Sequence, residues 1–313
     1  MKRPDVVCLG ILVADVITRT VDELPDPGTL AFVDELALRG GGGALNTSTW
    51  LARSGVSAAA AGKVGADSFG RFLVELLSER GIERAGVVVD PDASTSATVV
   101  LVNTEGERTF LHRPGANGEL RASDLDPDIV FAGRWLLLTG AFVLPALDGS
   151  PAAALLAEAR RHGVRTALDT VFDPTGRWDR VLPLLPQTDL FMPSIAEARA
   201  ITGEQDPSAV AATLHELGAR DVALKLGPHG TYGSGEDFRG YIEPVNVSPI
   251  DGTGAGDAFN AAVLYGKLAG WPFEQALRLA TAAGAYATTF VGAADEACDL
   301  AALVDNSATG MRA

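Results

Sequence analysis

A chain of 313 residues with 47% apolar residues spread from end to end can bury a full core, and it lacks the charge-rich or repetitive tracts of a disordered chain. Its formal net charge of −15 repels phosphate backbones and anionic membrane surfaces, so neither nucleic acid nor membrane is expected as a partner. The same charge does not exclude a nucleotide substrate, because backbone N–H groups and a divalent ion can hold phosphate locally.

Met1-Lys2-Arg3 and the apolar run at residues 6–14 imitate a signal peptide. Asp5 and Asp15 bracket that run, however, and no small-residue cleavage site follows, so residues 6–13 read as a buried first strand. Helical periodicity then covers 44–53, closed by Gly55, and 69–80, closed by Gly81, before a β-branched run at 87–89. Apolar runs at 135–139, 166–168, 190–192 and 222–226 alternate with further segments of helical period. This alternation predicts an α/β fold with a doubly wound, mostly parallel sheet flanked by helices.

Residues 30–38 and 98–113 break the pattern by alternating like half-exposed strands, the second folding back at Asn103-Thr104-Glu105-Gly106. They read as a small antiparallel β lid or as an ordinary edge hairpin. No linker or repeat divides the chain, which predicts one domain over 1–313 with lid excursions at about 13–40 and 95–115. No apolar stretch approaches the roughly 20 uninterrupted residues of a membrane-spanning helix. Cys8 and Cys298, each among apolar neighbours, are too few for a disulfide framework, and a cytoplasmic protein is expected.

The most informative stretch is Asp251-Gly252-Thr253-Gly254-Ala255-Gly256-Asp257-Ala258-Phe259, a glycine-rich turn entering a helical segment at 258–269. N–H groups at such a helix start form a positive cradle for a phosphoryl group. A carboxylate beside that cradle is repelled by the ligand, so Asp257 either accepts a proton from an attacking hydroxyl or merely caps the helix. There is no Walker A motif, since Gly62-Lys63 lacks the following Ser or Thr. Gly40-Gly41-Gly42-Gly43-Ala44-Leu45-Asn46 also enters a helix, where missing side chains admit a ligand and Asn46 offers donors and acceptors; a flexible loop closed by an Asn fits the same residues. Asp15, read at the end of the first strand, either accepts from ligand hydroxyls at the carboxyl edge of the sheet or is a solvated strand-ending residue. The four histidines show no metal-ligand spacing, and Arg113 and Asn117 read as parts of a turn around Pro114-Gly115-Ala116.

Taken together, Asp15, Gly41-Gly42 with Asn46, the run from Gly62 through Lys63, Asp67 and Gly70, Leu226-Gly227-Pro228-His229-Gly230, and the stretch from Asp251 to Asp257 resemble the ribokinase-like (PfkB) carbohydrate kinases. The motifs come in family order across nearly the whole chain. The resemblance implies a nine-stranded or similar sheet with a β lid, Mg-ATP as donor, a small sugar as acceptor, and a monovalent cation such as K+ near the anion hole. It implies Asp257 as the base, with the N–H groups of Gly254, Ala255 and Gly256 forming the hole. Asp15, Gly41, Gly42 and Asn46 would hold the acceptor, and Ser194, Lys225, Gly227 and Gly230 the nucleotide. Glu197, Asp251 and Thr253 would serve the metal sites, and a homodimer through the lid is a family-level expectation.

The sequence departs from the family where Asn-x-x-Glu is replaced by Ser194-Ile195-Ala196-Glu197, which is also a helix capping box. Gly252 stands where the family has Thr, Pro or another small residue. The segment from Asp169 to Trp178 has no assignable role at this level. A nucleoside kinase, or a catalytically idle sugar-binding protein on the same fold, would share most of these features.

Overall fold

The computed structural model describes residues 3–173, 175–294 and 299–308. Nine strands form the main sheet: β1 (Val6–Gly10), β4 (Ala58–Gly65), β5 (Glu83–Asp90), β8 (Trp135–Ala141), β9 (Arg165–Thr170), β10 (Leu190–Phe191), β11 (Asp221–Lys225), β12 (Thr231–Ser234) and β13 (Arg239–Ile242). Their order is β13-β12-β11-β10-β9-β8-β1-β4-β5, antiparallel at the β11–β12 and β12–β13 pairs and parallel elsewhere. Every residue of β1, β4 and β8 is buried, as expected of parallel strands covered on both faces. Successive side chains of β1 feed opposite cores: Val6 and Cys8 pack with helices Gly43–Arg53, Ala255–Leu268 and Phe273–Ala287, while Val7 and Leu9 pack with helix Ser150–Arg161 and its neighbours. Burial pushes the Cys8 thiol far above its ordinary range, helped by the charge of Asp257, so it is inert packing. Cys298 lies outside the described residues.

A second sheet of four strands, β2 (Val13–Arg19), β3 (Glu35–Gly41), β6 (Ala97–Val102) and β7 (Arg108–Arg113), stands in the order β3-β2-β6-β7. This is the expected lid, with one difference: its two antiparallel hairpins join through a parallel β2–β6 pair. The first apolar run also divides. The main-sheet strand ends at Gly10, and the chain re-enters strand geometry at Val13 as part of the lid. At the crossing, Asn117 accepts from Leu12 N–H at 3.2 Å and donates to Leu12 O at 3.0 Å, closing backbone groups that belong to neither sheet. Asn117 is therefore a buried clamp, and Asp15 sits inside a lid strand rather than at a main-sheet strand end. An unbroken apolar run cannot reveal such a change of sheet, because both halves are buried.

The motif around Gly62 to Gly70 is architectural. Asp67 caps helix Ser68–Glu79 through Gly70 N–H at 2.8 Å and also accepts from Thr95 N–H at 2.8 Å and Thr95 Oγ1 at 2.6 Å. It thereby fastens the end of β4 to the segment that leads into the lid. Lys63 is buried between Asp90 at 2.8 Å and Asp124 at 3.2 Å.

Candidate active site

The carboxyl ends of β1, β8, β9 and β11 and the start of helix Ala255–Leu268 converge beneath the lid. That helix begins three residues earlier than its periodicity suggested, with Gly254 as its cap, so Asp257 lies within the first turn. The first intrahelical bond runs from Ala258 N–H to Gly254 O, which leaves the preceding N–H groups of the turn without intrahelical acceptors. Gly254 has φ 76°, and a Cβ there would overlap the Ala293 backbone, so the turn admits no side chain at this position. Asp257 is half-buried and does not cap. Its Oδ2 accepts from Asn46 Nδ2 at 2.8 Å. Burial pushes its carboxyl up to about 6, a rise that the Asn46 bond opposes, the Asp169 charge supports and the Lys225 charge opposes.

Asn46 is buried on helix Gly43–Arg53, and its Oδ1 has no partner, an orphaned acceptor that a ligand hydroxyl would satisfy. Asp15 lines a cleft under the lid from β2, where burial lifts its carboxyl to about 6 against a lowering bond from Thr98. Gly41 lies directly against the Asp15 carboxylate, where any Cβ would overlap Oδ2, and Gly42 follows as the helix cap. The cleft is further lined by Ile17, Thr98, Val100 and Phe110 of the lid and by Thr253 and Gly292 beneath it.

On the other side of Asp257, Lys225 ends β11 with its ammonium 2.6 Å from Asp169 Oδ1, directly over Gly256. Thr139 donates to the second oxygen of Asp169 at 3.3 Å. Ser194 caps helix Ile195–Thr202 in a reciprocal box: Ser194 Oγ accepts Glu197 N–H at 3.3 Å, and Glu197 Oε2 accepts Ser194 N–H at 2.9 Å. Glu197 also accepts from Thr170 at 2.9 Å. It is buried, which raises its carboxyl above the ordinary range, while Lys225 opposes and Asp169 supports that rise. Gly227 and Gly230 bracket the tight turn after β11. The structure thus gathers Ser194, Glu197, Lys225 and the Gly227 turn on one side of Asp257, and Asp15, Gly41, Gly42 and Asn46 on the other.

Sequence reasoning missed Asp169, now the partner of Lys225 at the end of β9. The available signal was an aspartate at the carboxyl end of a predicted parallel strand, a position where α/β sheets bind ligands. It also missed Arg108. This lid residue ion-pairs with Asp251 and donates to Thr253 Oγ1. Asp251 additionally accepts from Thr253 N–H at 2.7 Å and Gly292 N–H at 2.9 Å. Burial alone would raise the Asp251 carboxyl, but these bonds hold it below its usual range. The two residues expected beside a monovalent cation are therefore already engaged by a cation of the chain itself.

The geometry suits a nucleoside triphosphate: N–H groups at a helix start that make no intrahelical bonds, Ala255 N–H making only a long 3.4 Å bond to Gly252 O, with the Lys225 ammonium beside Gly256 and the Gly227 turn following β11. No group of three or more metal-binding side chains converges among the described residues. Glu197 would hold Mg2+ with phosphate oxygens and water completing the shell, as this ion prefers. A second cleft, at the opposite edge of the sheet near Trp135 and Arg165, has most of its charges engaged in the pairs Arg160–Asp189, Arg220–Glu236 and Lys267–Asp221. It has no comparable turn.

The family model described as pfkB family carbohydrate kinase matches residues 3–298. Ribokinase from Mus musculus is 31% identical over 273 residues, covering 83% of this chain and 80% of the relative. Fructokinase from Vibrio alginolyticus is 30% identical over 274 residues, covering 81% and 86%. In fold, an Escherichia coli protein described as a ribokinase II and crystallised with ATP and Mg2+ superposes with a TM-score of 0.85 over 98% of this chain and 99% of that one, at 21% identity.

Proposed function

The chain belongs to the pfkB family of carbohydrate kinases, and on that premise we propose that it transfers the γ-phosphoryl group of ATP to a hydroxyl of a small sugar. The observation that carries this reading is Asp257: a carboxylate lifted to about 6 stands in the first turn of a helix whose leading N–H groups make no intrahelical bonds, bonded to an Asn46 with an orphaned oxygen. Such a carboxylate is largely ionised at neutral pH yet basic enough to take a hydroxyl proton.

In this reading Asp15 and Asn46 orient the acceptor, with Gly41 and Gly42 leaving room for it. Asp257 accepts the hydroxyl proton as the sugar oxygen bonds to the γ-phosphorus and the bond to the β,γ-bridging oxygen breaks, releasing ADP. The N–H groups of Gly254, Ala255 and Gly256 stabilise the charge on the moving phosphoryl oxygens. Lys225, held in place by Asp169, sits where nucleotide phosphates would lie. Ser194, Gly227 and Gly230 shape the nucleotide side, and Glu197 would hold Mg2+, which when bound neutralises phosphate charge. The whole chain acts as one kinase domain with the lid as an excursion.

The outer face of the lid exposes Leu36, Leu38, Val99 and Leu111, and Val99 pairs directly with Leu111 across β6–β7. A second copy of the chain covers this apolar face in the proposed assembly. Sedimentation velocity of the wild type against Leu111→Glu checks it: the variant should sediment as a monomer. No helix among the described residues is long and apolar enough to cross a membrane, and the cytoplasm is the proposed compartment.

The activity test is ADP release from Mg-ATP across pentoses, ketohexoses, sugar acids and nucleosides, with Asp257→Asn alongside. Activity on one sugar that vanishes in the variant supports the reading. ATP binding with no release on any acceptor would assign the fold to an idle binding protein.

A further inference from the structure

Arg108 opens lid strand β7 and reaches a loop 145 residues away in sequence. Its side chain is 22% exposed, that of its partner Asp251 only 3%. Through Asp251 three segments meet: the lid by Arg108, the anion-hole loop by Thr253 N–H, and the segment after helix Phe273–Ala287 by Gly292 N–H. The residue following Gly292 packs against Gly254, so this junction fixes the backbone that begins the hole.

Asp251 has an electrostatic problem. Its carboxylate lies three residues before Gly254, and an uncompensated negative charge there opposes the charge that a phosphoryl group brings into the hole. A bound K+ is one remedy, but a guanidinium at this carboxylate and at Thr253 Oγ1 repels a second cation from the same oxygens. The guanidinium is permanently charged, as K+ is, but because it is tethered to the chain its occupancy does not depend on salt concentration. It is also carried by the sheet that bears Asp15 and Thr98, so its position follows the acceptor-binding lid.

We propose that Arg108 is the built-in cation of the anion-hole loop: it takes the place of a monovalent ion at Asp251 and Thr253, and it completes the hole only with the lid closed. The inference rests on the kinase reading of the site. Arg108 is a positioning residue here, acting on the reacting groups through Asp251 and Thr253.

The test measures ADP release in tetramethylammonium chloride and in KCl at equal ionic strength, for wild type, Arg108→Met and Arg108→Lys, together with melting temperatures in both salts. The wild type should be equally active and equally stable in both. Arg108→Met should lose about 10- to 100-fold in kcat without K+, less than the roughly 10²- to 10³-fold lost on removing an oxyanion-hole donor itself, because Arg108 acts through Asp251 and Thr253. It should recover in KCl and show a K+-specific rise in melting temperature, while Arg108→Lys retains K+ independence. Strong K+ activation of the wild type, or a Met variant as active as wild type in both salts, would overturn the proposal. If no acceptor gives ADP in any salt, the kinase reading fails separately, and a K+-specific melting shift in the wild type still counts against Arg108 as the cation.

Discussion

Asn46 Nδ2 and Asp257 Oδ2 meet at 2.8 Å across 211 residues of sequence, joining the first helix of the chain to the glycine-turn helix at the point where the two would share an acceptor hydroxyl. The bond uses one half of the Asn46 amide and leaves the other buried without a partner. It also tells the two functions of Asp257 apart, since a helix-capping carboxylate would accept from its own turn.

Asp257→Asn should lower kcat by about 10²- to 10⁴-fold, the range for loss of general base catalysis, with the KM for ATP little changed. Steady-state kinetics on the sugar identified by the panel checks this. Near-normal turnover would remove Asp257 from the mechanism.

The rate should fall in acid. Asp257 must be ionised to act, and its carboxyl is lifted to about 6, so kcat/KM should decline as pH drops through that value, with Asp15 contributing to the same limb. The stability sign is opposite to that of an ordinary ion-paired carboxylate. A group raised in the folded state contributes stability that is present below its unfolded value near 3.8 and lost as pH rises through about 6. The melting temperature of Asp257→Asn relative to wild type should therefore be more favourable at pH 7.5 than at pH 4, measured by calorimetry at both.

Asp15→Asn should act on binding. Loss of a charged hydrogen-bond acceptor costs about 1.5–3 kcal/mol, which raises the KM for the sugar about 10- to 100-fold, with a smaller effect on kcat. Asp15→Asn kinetics in which kcat falls while KM holds would instead place Asp15 in the chemical step.

Gly254→Ala places a side chain where φ is 76° and the Ala293 backbone already stands. It should destabilise the protein by about 1–3 kcal/mol and displace the hole, so both melting temperature and kcat should fall. An unchanged kcat would mean that the N–H groups of this turn do not face the phosphoryl group.

Asp67→Ala should cost about 1–2 kcal/mol of stability through loss of a helix cap, while kcat at 25 °C stays unchanged. Urea unfolding and an activity assay on the same preparation separate the two effects. A fall in kcat without a fall in stability would assign the motif to catalysis.

The doubly wound sheet was legible because parallel strands buried on both faces leave continuous apolar runs, as at residues 135–139 and 222–226. The glycine turns were legible for a related reason: the backbone needs room at Gly254, and the lack of a side chain is visible in sequence. What stayed hidden depends on partners distant in the chain. The passage from β1 to the lid at residues 11–12 is invisible because both sides are apolar, and only Asn117, 105 residues away, marks it. The earlier start of helix Ala255–Leu268 escaped because glycine has weak helix propensity, yet Gly256 sits within the first turn. Asp169 and Arg108 escaped because each is defined by the residue it touches, Lys225 in one case and Asp251 in the other.

The four-stranded sheet is assembled from two hairpins separated by some 55 residues of chain, joined to one another by the parallel pairing of β2 with β6. In the proposed reading much of the acceptor side is thereby carried by the lid hairpins and the phosphoryl side by the main body, with Asn46 and Arg108 as the links between them. Substitutions along β2, β3, β6 and β7 that spare Arg108 would retune which acceptor is chosen without disturbing the 251–257 turn, so this architecture can drift between sugars without reinventing phosphoryl transfer. Acceptor preference is then best sought by exchanging hairpins between relatives with Arg108 retained, a graft that leaves the nine-stranded sheet as it is.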